Sequence, residues 1–409
     1  MKDKIITGFI KEETKRQGET INLIASENYV SREVLAALGS PLTNKYAEGY
    51  SKLRYYRGNA YIDQIEDLAK ERALQLFVPE NHLAEWDVNV QALSGSPANL
   101  AVYLALVPLK EKIMGLELAM GGHLTHGHPV SATGKLWQQI PYQVDLKTEM
   151  LDYAAIEKIA MTEKPKLIVA GYSAYSRIID FKKFRQIADR SGALLMVDMS
   201  HFAGLVAGGV YSSPFLYADI VTSTTHKTLR GPRSALIFSK KEFMPKINKA
   251  VFPGLQGGPH ANQIAAVATA LLEANQPAFK KYAAQIIKNA QTLAAELQKL
   301  GWRVINSGTD THVFLIDVAA KGLGGEEASV LLEQANIIVN KNTIPYDKRG
   351  PMDPSGLRLG TPALTTRGMK EKEMKQIAVW IDAALTKRGI LKNIKKEVSR
   401  LCRRFPLEY

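Results

Sequence analysis

The sequence predicts an α/β protein, with a mostly parallel or mixed central sheet flanked by helices and a smaller α+β domain at the C-terminal end. Three observations lead there. From about Lys164 onward, short apolar runs alternate with helix-like segments: KLIVAGY, FKKFRQIADRSG, ALLMVDMS, ADIVTSTTH and SALIFS. Alternation of this kind builds a largely parallel sheet covered by helices. Two chemically loaded residues, Asp198 and Lys227, stand at the carboxyl ends of such runs, where ligands of open α/β sheets gather. After Gly258 the rhythm changes. A long helical region, about residues 262–300, leads to WRVINSG, HVFLIDVA and further helices.

Taken in order, residues 1–50 read as an N-terminal arm with an irregular loop. Ala60–Phe77 carries apolar residues at Ile62, Ile65, Leu68, Ala69 and Leu76, the spacing of one helix face. DVNVQAL reads as a short strand. Ser94-Gly95-Ser96-Pro97 follows it and starts an apolar helix, with small hydroxyl residues before an early proline. The alternating region then completes a large domain over residues 51–275, and residues 276–409 form the smaller one. No repeat and no flexible linker interrupts the chain.

Composition removes several classes. The 409 residues are 46% hydrophobic and 23% charged, enough for a large core and unlike a disordered chain. Cys402 is the one cysteine, so neither an internal disulfide nor a multi-thiolate metal site can form. No metal is expected. The opening MKDKIITGFIKEETKRQ does not read as a signal peptide, and the apolar stretch from Ala98 to Leu109 is too short to span a bilayer. A cytoplasmic protein is the expectation. The formal net charge is +13, with Lys387, Arg388, Lys392, Lys395, Lys396, Arg400, Arg403 and Arg404 crowded in the tail. With no nucleic-acid motif beside them, they read as a solvated helix face or as the field of an enzyme for anionic substrates, rather than a nucleic-acid surface.

The chemistry-bearing residues gain meaning together. Lys227 follows a strand and lies among hydroxyls and an imidazole in TSTTHKT. A lysine needs a lowered pKa or a carbonyl partner to act as a nucleophile, and alone this one reads equally well as a surface residue. Asp198 closes an apolar strand, and a buried carboxylate needs a charged or hydrogen-bonding partner. Capping of the next helix is one use. Pairing with the protonated ring nitrogen of pyridoxal phosphate is another, and Lys227 makes it the better fit. Ser94-Gly95-Ser96 at a helix start offers N–H groups and hydroxyls to a phosphate, although plain caps look the same. The turn Gly254–Pro259 could approach a phosphate or merely connect domains. Arg358, between glycines in SGLRLGTPALTTRG, could fork a carboxylate or sit on the surface.

The segments LIASEN (23–28), NKYAEGY (44–50), GGHLTHG (121–127), SAYSR (173–177), VDMSHFAGLVA (197–207), TTHKTLRGPR (224–233), FPGLQGGP (252–259), NKN (340–342) and SGLRLGTPALTTRG (355–368), in this order, resemble the serine hydroxymethyltransferase family. The resemblance implies the fold type I, aspartate aminotransferase-like architecture of pyridoxal-phosphate enzymes. It also implies an obligate homodimer with shared sites, or a dimer of such dimers. Lys227 would be the Schiff-base lysine carrying pyridoxal 5'-phosphate, Asp198 the ring-nitrogen partner and His123 the stacking residue. Ser173, His201 and His226 would lie around the ring, with Thr224 in a catalytic position. Ser94, Gly95 and Ser96 would hold the phosphate, joined by Gly257 and Gly258 from the neighbouring subunit. Arg358 would bind the substrate carboxylate beside Ser26, and Glu48 would be the catalytic carboxylate. Tyr46 and Tyr56 would line the site from the partner chain. Leu118, Gly121, Gly122, Leu124 and Asn342 align with folate-contacting positions. The implied reaction interconverts serine and tetrahydrofolate with glycine and 5,10-methylenetetrahydrofolate.

The chain departs from that pattern at several points. Ser51-Lys52-Leu53 stands for the usual Pro-Gly-Lys, Arg57 for glycine, Ala92-Leu93 for Pro-His, Pro97 for glutamine, His128 for serine, Ser234-Ala235 for Gly-Gly, and Thr311 for asparagine. Lys227, Asp198, His123, Glu48 and Arg358 are retained. Two other functions stay open at this level. One is a folate-independent β-hydroxy amino acid aldolase or an α-methylserine hydroxymethyltransferase. The other is an RNA-binding or scaffold pseudoenzyme using the basic tail.

Overall fold

The computed structural model describes residues 2–408. Met1 of the expected arm, Tyr409 of the expected C-terminal domain and the Arg388 side chain of the basic tail lie outside the described residues. The chain forms two compact units, residues 30–284 and residues 1–29 with 285–409.

The larger unit is built on seven strands: β1 (Trp86–Asn89), β2 (Lys112–Leu116), β3 (Gln138–Tyr142), β4 (Leu167–Gly171), β5 (Leu194–Asp198), β6 (Ile220–Thr224) and β7 (Ala235–Lys240). Their spatial order is β1-β7-β6-β5-β4-β2-β3. β6, β5, β4, β2 and β3 run parallel, while β7 pairs antiparallel with both β6 and β1. The sheet is therefore mixed, with a parallel centre. Every residue of β4 and β6 is buried, which is why these strands read as continuous apolar or small-residue runs rather than alternating ones.

Local sequence explains the flanking helices. Asp180 caps the helix Phe181–Ser191 by accepting the Lys183 N–H at 3.1 Å, and Gly192 ends it in a left-handed conformation. Phe181, Phe184, Ile187 and Ala188 form its buried face, each large side chain contributing roughly 1.5–3 kcal/mol. Helix Ala60–Phe77 matches the stretch read from periodicity. The apolar helix runs Gly95–Leu106 with Ser94 at its N-cap, so Pro97 sits in the first turn, where a missing N–H costs nothing.

The structure refines one expectation and corrects another. The long region near 262–300 is two helices, Ala261–Ala274 and Pro277–Lys299, because Pro277 cannot continue the first and instead starts the second. The run DVNVQAL leaves the ladder after Asn89. Beyond it, the Gln256 side chain stands in for a neighbouring strand: its Nε2 donates to Gln91 O at 2.6 Å and its Oε1 accepts from Leu93 N at 3.4 Å. The departures Ala92 and Ser234 touch each other, Ser234 Oγ donating to Ala92 O at 3.2 Å.

The turn at Ser51-Lys52 joins two short antiparallel strands, Gly49–Tyr50 and Leu53–Arg54. Lys52 is held there at φ +63°, in the left-handed region. Its side chain is exposed and its N–H donates to Asp63 Oδ2 at 3.1 Å. Glycine would keep that bond and remove the Cβ strain. Lys52→Gly is expected to raise stability by about 1 kcal/mol. Urea denaturation checks this; an unchanged or lowered midpoint contradicts it.

The smaller unit has a four-stranded antiparallel sheet of β8 (Arg303–Val304), β9 (Val313–Asp317), β10 (Asn340–Asn342) and β11 (Gly356–Gly360), in the order β8-β9-β11-β10. Its core includes Phe314, Ile316, Leu357, Leu359, Ile377, Ile381, Val398 and Cys402. The lone cysteine is therefore a core residue. Within the stretch read as an N-terminal arm, Lys4–Glu19 is a regular helix, whose first N–H groups at Ile5 and Ile6 are taken by Asp3 Oδ1 at 3.0 Å. The tail helix Leu391–Arg404 buries Ile394, Val398, Leu401 and Cys402 and exposes Lys392, Lys395, Lys396, Arg400, Arg403 and Arg404.

Candidate active site

At the carboxyl end of the parallel strands of the larger unit, Asp198 is the last residue of β5 and is buried. Its Oδ2 accepts from Asn99 Nδ2 at 2.9 Å and from His126 Nε2 at 3.0 Å, and its Oδ1 accepts from Ser200 N at 3.1 Å. Burial by itself raises a carboxyl pKa. Here the His126 hydrogen bond and the neighbouring imidazoles and Ser200 overcome it and hold Asp198 far below the ordinary carboxylate range. The group is thus ionised at neutral pH. A carboxylate offers about four lone-pair sites. Three are used, and one on Oδ1 is not taken by any described residue.

The partners of Asp198 are themselves fixed. Asn99, inside the apolar helix, accepts from Thr222 Oγ1 at 2.7 Å and donates to Thr125 Oγ1 at 2.9 Å. His126 Nδ1 accepts the His123 N–H at 3.3 Å, so the ring proton belongs on Nε2, facing Asp198. His123 Nδ1 accepts the Thr125 N–H at 3.2 Å and lies 2.7 Å from Thr125 Oγ1, which places its own proton on Nε2. Sequence reading singled out His123 and Asp198 but missed Asn99, Thr125 and His126. The signals were a lone amide in an apolar helix and a second histidine three residues after the first.

Strand β6 ends at Thr224, whose N–H donates to Ser200 Oγ at 3.0 Å. Lys227 follows in a turn pinned by Gly231 N to Thr225 O (2.7 Å), Arg230 N to Lys227 O (3.1 Å) and Thr228 Oγ1 to His201 O (2.8 Å). Gly95 opens the neighbouring helix against this strand end. A Cβ there would lie 2.6 Å from Thr224 Cγ2, so only glycine allows the approach. Ser94 makes no side-chain cap bond to its own helix. The first-turn N–H groups of that helix and the hydroxyls of Ser94 and Ser96 together form an anion-receptive end. The three-residue turns Leu118–Met120 and Leu124–His126 enclose Gly121 and Gly122, and Ser173 N donates to Gly121 O at 2.7 Å.

A second group within this unit brings Tyr46, Glu48, Tyr56, Gly257 and Gly258 together. The Tyr46 and Tyr56 rings are 5.1 Å apart. A Cβ on Gly257 would lie 3.3 Å from Glu48 Oε1, and one on Gly258 3.2 Å from Tyr46 Cε1. Glu48 is aimed from below: Arg54 Nη1 donates to the flanking carbonyls of Ala47 (2.9 Å) and Gly49 (2.6 Å), and is anchored by Asp63 and buried Glu66.

The smaller unit carries Ser26, Arg358 and Asn342. Arg358 Nη2 donates to Ser26 Oγ at 3.3 Å, and loss of hydration pulls its pKa down to about 10, leaving it cationic at neutral pH. Asn342 Nδ2 donates to Thr343 O at 2.6 Å.

His226 beside Lys227 is mostly buried, and its Nδ1 has no hydrogen-bond partner among the described residues. Burial, then the charges of Lys227 and Arg233, lower its pKa from 6.5 to about 3. Its folded form is therefore neutral where the unfolded chain binds a proton. The resulting stability is fully present above pH 6.5 and is lost as pH falls towards 3, at up to about 1.4 kcal/mol per pH unit. His226→Asn is expected to flatten that acid limb. Urea midpoints at a series of pH values between 7 and 4 test it; parallel curves for both proteins would reject it.

Comparison with known proteins identifies the family. The family model described as serine hydroxymethyltransferase matches residues 1–381. A protein of Koribacter versatilis named serine hydroxymethyltransferase is 53% identical over 408 residues, covering 99% of this chain and 94% of its own. One of Acidobacterium capsulatum with the same name is 54% identical over 408 residues, with the same coverage. The family has the fold type I architecture, uses pyridoxal phosphate and takes tetrahydrofolate as co-substrate. With its mixed seven-stranded sheet, and with a match that runs nearly end to end, the chain belongs to the serine hydroxymethyltransferase family.

Proposed function

We infer that this chain is an enzyme that moves the hydroxymethyl carbon of serine to tetrahydrofolate, reversibly, leaving glycine and 5,10-methylenetetrahydrofolate. The observation that carries the reading is the buried, ionised Asp198, with one acceptor site left on Oδ1 at a strand end one strand away from the Lys227 turn. That site suits a ring N–H, and the adjacent helix start suits a phosphate, so the residues fit pyridoxal phosphate. When bound, the cofactor supplies an electron sink for breaking a bond at the amino-acid α-carbon.

The chain's own residues do the rest. Lys227 supplies the amine for covalent attachment. Asp198 would hold a proton on the ring nitrogen, and Asn99 and His126 hold Asp198 in one orientation. His123 would stack on the ring, and Ser173, His201, Thr224 and His226 would help to hold it. Ser94, Gly95 and Ser96 receive the phosphate. Arg358 and Ser26 would bind the substrate carboxylate. Glu48 moves a proton at the substrate hydroxyl or at the folate. Leu118, Gly121, Gly122, Leu124 and Asn342 receive the folate.

The working form proposed is a homodimer, or a dimer of dimers, in which Tyr46, Tyr56, Gly257 and Gly258, with Glu48 packed beside Gly257, complete the site of the partner chain. Exposed apolar side chains support it: Ile5, Ile6, Phe9 and Ile10 on one helix, and Leu53, Tyr55 and Tyr61 in the larger unit. No helix among the described residues is long and apolar enough to cross a membrane, and a cytoplasmic location is proposed. The test is glycine formation from serine by the cofactor-loaded protein, with and without tetrahydrofolate. Strict dependence on folate supports the reading. Equal serine cleavage without it transfers the assignment to an aldolase.

A further inference from the structure

Arg358 lies on β11, and Asn340 is its direct partner in register on β10. Directly opposed residues on neighbouring strands project from the same face, so the two side chains meet by construction of the sheet. Asn340 Oδ1 accepts from Arg358 Nε at 3.1 Å, while Asn340 Nδ2 donates to Lys341 O at 3.0 Å. The two bonds fix which way the amide faces. Reversed, it would set an N–H group against Nε–H and an oxygen against a carbonyl. On the other side, the chain from Leu23 to Ser26 is pressed onto β11. Gly360 N donates to Leu23 O at 2.7 Å, and a Cβ at Gly360 would lie 2.5 Å from Ala25 Cα. Ser26 Oγ thereby reaches Arg358 Nη2.

We propose that Asn340 is a positioning and specificity-determining residue: it sets the guanidinium plane of Arg358 and directs the substrate carboxylate to the terminal nitrogens. This rests on the reading of Arg358 as the carboxylate-binding residue. A guanidinium can grip a carboxylate along its Nε–Nη edge or across its two Nη groups. Because Asn340 occupies Nε, the first edge is closed. Because the amide is neutral, the clamp fixes orientation without cancelling the charge that attracts the substrate. Aspartate at the same position would have nearly the same shape and would place a competing carboxylate on the arginine. The requirement is therefore for asparagine's orientation and its neutrality together.

The test uses the cofactor-loaded protein and calorimetric titration with glycine and with glycinamide, which keeps the amine and lacks the charge. Wild type is expected to bind glycine far more tightly than glycinamide. Asn340→Ala is expected to raise the glycine Kd by about tenfold, the loss of one hydrogen bond to a charged group. Asn340→Asp is expected to raise it by about a hundredfold and to abolish the preference over glycinamide. In turnover, the serine KM should rise in both variants while kcat changes much less. Thermal unfolding should stay close to wild type. Glycine affinity unchanged in both variants, or glycine and glycinamide weakened alike, overturns the role of Asn340. A wild type that does not discriminate glycine from glycinamide overturns the assignment of Arg358 itself, and with it this proposal.

Discussion

Asp198→Ala is expected to damage both the fold and the chemistry. Three donors converge on that carboxylate: Asn99 Nδ2, His126 Nε2 and Ser200 N. Asn99 and His126 are almost fully buried, so losing their acceptor strands polar groups away from water. Breaking a buried, well-satisfied charged site of this kind costs about 3–5 kcal/mol. Asp198→Asn separates the two effects. With its amide oxygen at the Oδ2 position it still accepts from Asn99 and His126, its NH2 opposes Ser200 N, and the negative charge disappears. Stability should then fall by only about 1–3 kcal/mol. Turnover should fall much further, by about 10³-fold, because the charge that holds a proton on the cofactor ring is gone. The check is a pair of measurements on each variant: urea denaturation and kcat for serine cleavage. An Asp198→Asn protein that turns over at the wild-type rate would remove Asp198 from the chemistry. One as unstable as Asp198→Ala would show that charge rather than hydrogen bonding holds this end of the sheet.

Much of the larger unit is legible because its signals are local. The helix Ala60–Phe77 follows from apolar spacing alone, and β4, β5 and β6 follow from short apolar or small-residue runs closed by turns. The parts that were not legible depend on partners distant in sequence. Asn99 is an oddity in an apolar helix until β5 and β6 are placed beside it, 99 and 123 residues on, when it becomes the link between Asp198 and Thr222. The departure of residues 90–93 from the ladder is set by one side chain, Gln256, more than 160 positions away. The helix Lys4–Glu19 does carry the cue, with Ile5, Ile6, Phe9 and Ile10 spaced along one helix face, although those side chains stay exposed. The motif GGHLTHG is also a local geometry, in which two histidines and a threonine lock one another. The segment NKN gave Asn340 no role, because only strand register sets that residue against Arg358.

Lys227→Ala is expected to leave a folded protein that can no longer hold its cofactor covalently. The turn around Lys227 is stabilised by main-chain and hydroxyl contacts that do not use the lysine amine: Gly231 N to Thr225 O, Thr225 Oγ1 to Pro232 O, and Thr228 Oγ1 shared between His201 O and Gly204 N. Truncation at Cβ keeps all of them, along with the main-chain Lys227 O that accepts from Arg230 N. Removing the amine also takes away one of the charges that depress His226, so that histidine should titrate at higher pH in the variant. Turnover should drop by roughly 10²–10⁴-fold, the scale of losing a group that both forms a covalent bond and exchanges protons. The decisive measurement is hydride reduction of the cofactor-loaded protein followed by peptide mass analysis. Wild type should carry a pyridoxyl group on the peptide containing Lys227, and the variant should carry none there. A variant with undiminished labelling on another lysine, and with wild-type turnover, would place the covalent site elsewhere and detach Lys227 from the mechanism. Labelling lost together with turnover, in a protein whose unfolding midpoint is unchanged, assigns the amine to the chemistry and the surrounding turn to its support.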